Sequence, residues 1–431
     1  MREMKNSGIA WMGEIPREWN ISRIKYVADV DPSCDKTKID GDSLITYTPM
    51  ECIRRGNFVN KAAYLNSVSS SLTAYEEGDI VMAKVTPCFE NGNIAIMTGL
   101  HNGFGLGSSE LFVFRPRSIV TEYLFYWLQN YVFVQNAKAT MTGTGGLKRV
   151  SPVFIKNCSI HMPPKEEQNK LVAFLDSKCT LVDTLIQNVQ TQIEKLKAYK
   201  QSLITEVVTK GLDPTVPMKD SGVEWIGEIP EHWNIISLGG VTSEMRNGYV
   251  GPTRDLFVDN GVRYIQSLHT KDGLIDFYKH PYYVREEWAN QHPKVHTGDV
   301  LIVQTGDIGQ VALVNDEFDC CNCHALIIAT PNQTIINPGY LTYYLLSSTG
   351  KELMLSFKTG ALLPHLNSGK IKSSPICVPD MEAQIQIVDY LRDKLNTIET
   401  LIAIKQAKIE KLEQYKRSLI YEYVTGKKEV V

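Results

Sequence analysis

Few stretches of this chain combine reactive residue types at a spacing that would let them act together. The densest is Cys320-Cys321-Asn322-Cys323-His324, which has the Cys-x-x-Cys-His spacing of c-type haem attachment. Haem attachment needs export and an apolar cofactor pocket, whereas this string runs straight into the strand-like Ala325-Leu-Ile-Ile-Ala329. A zinc site would need further ligands at suitable spacing, and no second Cys or His pair supplies them. The string therefore reads as a strand with small residues. Gly103-Phe-Gly-Leu-Gly107 carries part of a nucleotide-binding glycine pattern, but it precedes a strand, Leu111-Phe-Val-Phe114, rather than a helix, and reads as a turn. Asn337-Pro-Gly-Tyr340 carries part of the Asn-Pro-Pro-Tyr loop of amino-methyltransferases; its proline suits the first turn of a helix. Residues 360–370 lack Walker A spacing. No Ser/His/Asp, nuclease-carboxylate or metal-ligand set emerges in either half, so no catalytic residue, metal or cofactor is expected.

The elements that would position any site are written twice. Ser7-Gly-Ile-Ala-Trp-Met-Gly-Glu-Ile-Pro-Arg-Glu-Trp-Asn-Ile21 matches Ser221-Gly-Val-Glu-Trp-Ile-Gly-Glu-Ile-Pro-Glu-His-Trp-Asn-Ile235. Further on, Pro163-Pro-Lys-Glu-Glu-Gln168 matches Pro379-Asp-Met-Glu-Ala-Gln384, and Ile193-Glu-Lys-Leu-Lys-Ala-Tyr-Lys-Gln-Ser-Leu-Ile204 matches Ile409-Glu-Lys-Leu-Glu-Gln-Tyr-Lys-Arg-Ser-Leu-Ile420. The chain is thus two units of about 215 residues, each a short hook, a variable middle and a repeated tail. The middles, roughly 22–150 and 236–370, share little beyond Gly78-Asp-Ile-Val-Met82 and Gly298-Asp-Val-Leu-Ile302.

Each tail predicts a long helix. From Glu166 to about Thr209 there is no Pro or Gly, and apolar residues step by four and three through Leu175, Cys179, Val182, Ile186, Val189, Ile193, Leu196 and Leu203. The second tail repeats this through Leu391, Leu395, Ile398, Ile402, Ile409, Leu412 and Leu419. A sustained 3.5-residue period is a coiled-coil seam. Lys200 and Lys416 interrupt it at the same register point. Glu166, Glu167 and Glu382 suit helix starts, and Gly211 and Gly426 suit helix ends. About 40 residues at about 1.5 Å each give a rod near 60 Å. Two such helices in one chain most simply pair antiparallel, and hook one should then sit near the end of helix two. The middles read as α+β: Asp79-Ile-Val-Met-Ala83, Leu111-Phe-Val-Phe-Arg115 and Val300-Leu-Ile-Val-Gln304 are β-rich, while 121–129 and 338–346 read as buried helices.

Bulk properties bound the partners. The 431 residues carry a formal charge of −3 and are 43% hydrophobic. That balance does not favour a nonspecific polycation, although a basic face can sit on a mildly acidic chain. No run of about 18 apolar residues offers a membrane span. The opening Met1-Arg-Glu-Met-Lys-Asn-Ser7 has no apolar core for a secretion signal, so a cytoplasmic protein with free thiols at its nine cysteines is expected.

In this order, the hooks, the string Gly78-Asp-Ile-Val-Met-Ala-Lys-Val-Thr-Pro-Cys-Phe-Glu-Asn-Gly-Asn93, Pro-Pro-x-Glu-Glu-Gln before a long helix, and Thr359-Gly360 with His365-Leu-Asn-Ser-Gly-Lys-Ile371 resemble the Type I restriction–modification specificity subunit (HsdS) family over essentially the whole chain. Pro379-Asp380 departs from the double proline in unit two. The resemblance implies an α+β tandem repeat: a first target recognition domain (1–162), a first conserved helix (163–210), a second recognition domain (211–378) and a second conserved helix (379–431). The helices would form an antiparallel coiled coil. Each recognition domain would read half of a bipartite double-stranded DNA site. The helices would space the domains and dock two methyltransferase subunits, with restriction subunits joining them. S-adenosylmethionine, ATP and Mg would bind those partners, and this chain would be non-catalytic.

Polar and basic loop residues are the candidates for DNA contact. In unit one these are Lys84, Thr86, Asn91, Ser108, Ser109, Thr142, Thr144, Lys148 and Arg149; in unit two, Arg246, Asn247, Gln304, Thr305, Lys358, Thr359, His365, Asn367 and Lys370. Lys, Arg, Asn and Gln supply base-edge pairings, and Gly-rich loops such as 142–146 let backbone approach phosphate. Each is equally an ordinary surface-loop residue by type alone. A specificity module of another restriction or methylation system, a coiled-coil scaffold that binds no DNA, and an enzyme built on the Cys320–His324 string remain as alternatives.

Overall fold

The computed structural model describes residues 2–34, 40–69, 71–144, 146–359 and 365–430, with the side chains of Lys358 and Thr359 outside that description. The chain forms two compact units, Met1–Val189 with Ala407–Val431, and Gln190–Gln406. They cut across the four segments drawn from the sequence, because each takes part of both long helices. Those helices run Lys165–Lys210 and Met381–Val424.

Both units are built to one plan. In the first, four antiparallel strands lie in the order Ile94–Ile96, Ile80–Ala83, Leu111–Pro116, Ala28–Val30. In the second, the order Val311–Leu313, Val300–Val303, Leu326–Pro331, Thr242–Asn247 repeats it. Each unit adds a second four-stranded sheet containing one parallel pair. That pair is Leu44–Thr48 with Phe104–Gly107 in the first unit, and Val262–Ile265 with Asn322–Cys323 in the other. The middles therefore share topology that their sequences hide. Gly103–Gly107, read as a turn, is largely this buried strand. Its glycines are a packing requirement: a Cβ on Gly105 would fall 2.2 Å from the Tyr75 ring, and one on Gly107 2.8 Å from Leu111.

The antiparallel pairing of the long helices is visible inside each unit. In the second, Lys405 Nζ donates to Gln192 Oε1 (2.6 Å) and Lys200 Nζ to Glu399 Oε1 (2.5 Å), so rising numbers meet falling ones. In the first, Phe174 packs on Tyr423 and Lys416 Nζ donates to both Asp183 oxygens (2.7 and 2.6 Å). The two seam lysines thus face acids at equivalent positions, Asp183 and Glu399. Their stems are largely covered while the ammonium groups reach the edge, the usual arrangement for a lysine at an apolar seam. Leu171, Leu175, Leu419, Ile420 and Val424 join the first unit's core. Leu203, Ile204, Val207, Ile387 and Leu391 join the second's.

The repeated polar residues are what fasten helix to domain. Gln168, 2% exposed, accepts from Val120 N–H (2.9 Å) and donates to Pro163 O (2.9 Å). Gln384, fully buried, accepts from Asn337 N–H (2.7 Å) and donates to Ile335 O (3.0 Å) and Pro379 O (2.9 Å). Each satisfies backbone groups that burial would otherwise leave unpaired. Tyr123 and Tyr340 do the same at the far helix ends. Tyr123 Oη donates to Val424 O (3.1 Å), and Tyr340 Oη to Val208 O (2.9 Å).

The hooks close these ends. In the first unit Lys427 Nζ donates to Glu14 O (2.7 Å), placing hook one at the end of the second long helix, as pseudosymmetry requires. Gly426 turns there with φ +71°, and a Cβ on it would lie 2.5 Å from Pro16. In the second unit Gly211, φ +80°, makes the matching turn against Trp233.

Candidate nucleic-acid interface

Most of the candidates gather where a central strand of each first sheet runs out. After Ile80–Ala83, Lys84 N–H donates to Glu110 O (3.0 Å), Val150 N–H donates to Lys84 O (2.9 Å), and Thr142 and Arg149 exchange backbone hydrogen bonds (3.1 and 2.8 Å). After Val300–Val303 the second unit builds the same ladder. Leu366 N–H donates to Gln304 O (2.9 Å), Thr305 bridges to His365, and Thr359 pairs with His365. Lys84 thus corresponds to Gln304, Arg149 to His365 and Thr142 to Thr359. A helix follows each ladder, capped by Ser151 in one unit and Asn367 in the other. One backbone scaffold presents two different sets of side chains.

In the first unit Thr86 holds the loop together. Its hydroxyl donates to Gly146 O (2.7 Å) and accepts from Lys148 N–H (2.9 Å). Gly143 is required here, since a Cβ would fall 2.2 Å from Leu147 O. Arg149 forms a two-pronged pair with Glu110 (2.9 and 2.7 Å). The pair holds the Glu110 carboxyl below its usual range and the guanidinium above its own. Ser108 Oγ accepts from Glu110 N–H (3.2 Å), which brings Ser108 and Ser109 to the same edge. Thr142, Thr144, Lys148 and Arg149 are exposed; Lys84 and Ser108 are half-buried. Arg149 and Lys84 both act on the Glu110 carboxylate, and Lys148 stands exposed on the same loop. Asn91 stands on the neighbouring turn, where its carbonyl accepts from Arg55 Nε (3.3 Å).

In the second unit the roles divide. Thr305 Oγ and His365 Nδ1 lie 3.0 Å apart on the exposed edge, and Lys370 is exposed on the short helix that follows. Gln304 is only 4% exposed and donates to Leu366 O (3.2 Å), so it braces the ladder rather than facing solvent. The Asn367 side chain caps the helix, accepting from Gly369 and Lys370 N–H (2.9 and 3.1 Å). Arg246 is held inside the sheet edge by Glu244 (2.8 Å), Thr330 (3.2 Å) and Lys294 O (2.8 Å), beside the buried Asp299. In the first unit Arg115 reaches the equivalent Asp79 from the adjacent strand (2.9 and 2.8 Å). Asn247, next along, is exposed. Lys358 and Thr359 belong to the ladder by backbone, and their side chains lie outside the described residues, as do Gly145 and Gly360.

Reading by residue type missed Glu110, which orients Arg149, and Ser151. The second signal lay in the pattern Thr-Gly followed by Arg-Val-Ser or His-Leu-Asn, which marks both ladders. Cys320, Cys323 and His324 do not converge on one another. Cys320 is exposed in a turn at φ +61°, Cys323 is fully buried in a strand, and the His324 ring sits 3.2 Å from Tyr264 Oη.

Comparison with known proteins places this architecture. The family described as the Type I restriction modification DNA specificity domain matches the chain twice, over residues 16–195 and 230–414. The Type I restriction enzyme EcoAI specificity subunit of Escherichia coli is 31% identical over 228 residues, which span 52% of this chain and only 37% of that relative. The Type I restriction enzyme MjaVIII specificity subunit of Methanocaldococcus jannaschii is 23% identical over 431 residues, 96% of this chain and 93% of the relative. A chain from a structure of complex assembly and conformational transition in a type I R-M system superposes with a TM-score of 0.70 at 19% identity. It covers 95% of this chain and 98% of its own length, a likeness of fold. Among the described residues no helix is long and apolar enough to cross a membrane.

Proposed function

This chain belongs to the Type I restriction modification DNA specificity family, and on that premise we propose that each of its units reads one half of a bipartite double-stranded DNA site. The observation that carries this reading is the repeated ladder: one backbone scaffold, built twice, with Lys84, Lys148 and Arg149 on one copy and Thr305, His365 and Lys370 on the other. Phosphate contacts position a protein and base-edge contacts specify it. Repeating the scaffold while changing the side chains gives two half-sites of different sequence in one quasi-symmetric frame.

The long helices serve as the spacer and as the docking surface for methyltransferase subunits. Leu185 and Leu401 are 39% and 41% exposed, and Tyr199 and Tyr415 are both 54% exposed. These are equivalent positions of the repeat. Apolar residues exposed at the same places in both copies suit two identical partners. Restriction subunits complete the assembly. S-adenosylmethionine, ATP and Mg belong to the partners, this chain performs no chemistry, and the complex works in the cytoplasm.

The test is co-expression with the methyltransferase subunit of the same locus, followed by sequencing that detects methylated adenine. The expected result is methylation at one two-part motif with a fixed gap, lost when this chain is omitted. Exchanging residues 142–149 should change one half of the motif only. Methylation indifferent to this chain would reject the specificity role in favour of a scaffold.

A further inference from the structure

Away from the ladder, the second unit gathers three side chains with different metal-ligating atoms at one turn. His296 precedes the strand Val300–Val303, and Asp319 and Cys320 follow the short turn Asp316–Phe318. His296 Nδ1 lies 3.2 Å from Asp319 Oδ1 and 4.0 Å from Cys320 Sγ, and Cys320 Sγ lies 3.2 Å from Asp319 Oδ2. A tetrahedral zinc ion, with Zn–S about 2.3 Å and Zn–N or Zn–O about 2.0–2.2 Å, separates its ligand atoms by roughly 3.3–3.6 Å. The two distances to His296 Nδ1 lie within about half an ångström of such a tetrahedron's edges, and one ligand atom from each of the three residues falls within 4.8 Å of the others.

The backbone holds the two segments together without an ion. Cys320 N–H donates to Val295 O and Val295 N–H to Cys321 O, each at 2.8 Å, and Asp319 Oδ1 accepts from Thr297 N–H (3.1 Å). Cys320 sits at φ +61°, in the left-handed region that a non-glycine residue enters at a cost. That conformation aims the thiol at His296 and Asp319, not at the buried Cys321 and Cys323 beside it. All three ligand residues are exposed, so the remaining coordination position opens to water. Thiolate, imidazole and carboxylate together favour a borderline-soft divalent cation over Mg or Ca.

We propose that His296, Asp319 and Cys320 form a zinc site with water as the fourth ligand. On binding, the thiol loses its proton to solvent as the S–Zn bond forms, and the imidazole binds as the neutral base. Lys294 is close enough to act on the charge of Cys320, and its ammonium works against the ion. The site would clip the segment before one central strand to the segment after its neighbour.

The test uses the full chain, stripped of metal and titrated with Co²⁺ alone, then with Zn²⁺. The expected result is a near-ultraviolet thiolate-to-cobalt charge-transfer band that saturates stoichiometrically and is displaced by zinc. Cys320→Ser should abolish the band while leaving the circular dichroism unchanged, and Cys88→Ser should retain it. His296→Gln should weaken zinc binding by at least about tenfold, a readout that survives if the cysteine variant fails to fold. No band in the native chain, or a band that persists in Cys320→Ser, would overturn the proposal.

Discussion

Replacing Gln384 by Leu removes three hydrogen bonds from a fully buried position without opening a large cavity. The native side chain accepts from Asn337 N–H at 2.7 Å and donates to Ile335 O and Pro379 O at 3.0 and 2.9 Å. Leucine leaves that N–H unpaired in the interior, at a cost of about 1–3 kcal/mol. The two carbonyls lose less, since each keeps a second lone pair and peripheral relaxation is open to them. The sum is a loss of about 3 kcal/mol, a large share of the roughly 5–15 kcal/mol that holds a domain folded. Gln168→Leu removes only one N–H and one carbonyl partner, Val120 and Pro163, and should cost about 2 kcal/mol in the first unit. The assay is native-state hydrogen exchange on the full chain, read at backbone amides of each unit. Gln384→Leu should speed the slowest amides of residues 335–346 roughly hundredfold, since about 1.4 kcal/mol is a factor of ten. A loss under about 1 kcal/mol would refute the reasoning and make the repeated glutamine replaceable by packing alone.

Other consequences are equally direct. His161 Nδ1 accepts from Trp127 Nε1 at 3.0 Å, and burial, with Lys427 adding to it, pushes its pKa down to about 4. The folded chain therefore takes up this proton later than the unfolded one, whose histidine titrates near about 6.5. Stability from this group is complete above that value and falls as the pH drops towards about 4, by about 3 kcal/mol in all; His161→Gln should flatten that part of the pH–stability curve. Tyr340→Phe deprives Val208 O and Cys377 O of their donor and should cost the second unit about 1–2 kcal/mol by denaturant unfolding. Gly426→Ala should cost several-fold more than Gly211→Ala, because its Cβ would meet the Pro16 ring at 2.5 Å, whereas that of Gly211 meets Trp233 at 3.2 Å. Lys148→Ala should weaken DNA binding evenly across sequences and lower the slope of log affinity against log salt by about 1, measured on the assembled methyltransferase.

What the sequence revealed was whatever repeats or has a period. The hooks, the glutamines and the 3.5-residue seam announce themselves locally, and so does the strand end that carries Lys84 and Gln304. The second sheet of each unit was invisible because its strands are short and pair across long separations, as Tyr264 does with Asn322. Gly105 misled because glycine signals a turn more often than a ring-sized gap. Arg246 and Gln304 show the limit of reading by residue type: a polar residue at a strand end looks the same whether it faces solvent, sits beside a buried aspartate or braces the backbone.

The first unit is closed by residues 407–431, which the ribosome delivers only after the whole of 190–406. Until Leu419, Ile420 and Val424 arrive, the core around Trp19, Tyr123 and Leu175 lacks one wall. The second unit is continuous in sequence and needs nothing made later. The order of maturation therefore runs against the order of synthesis: the second unit has all its residues first, and the first waits for residues 407–431.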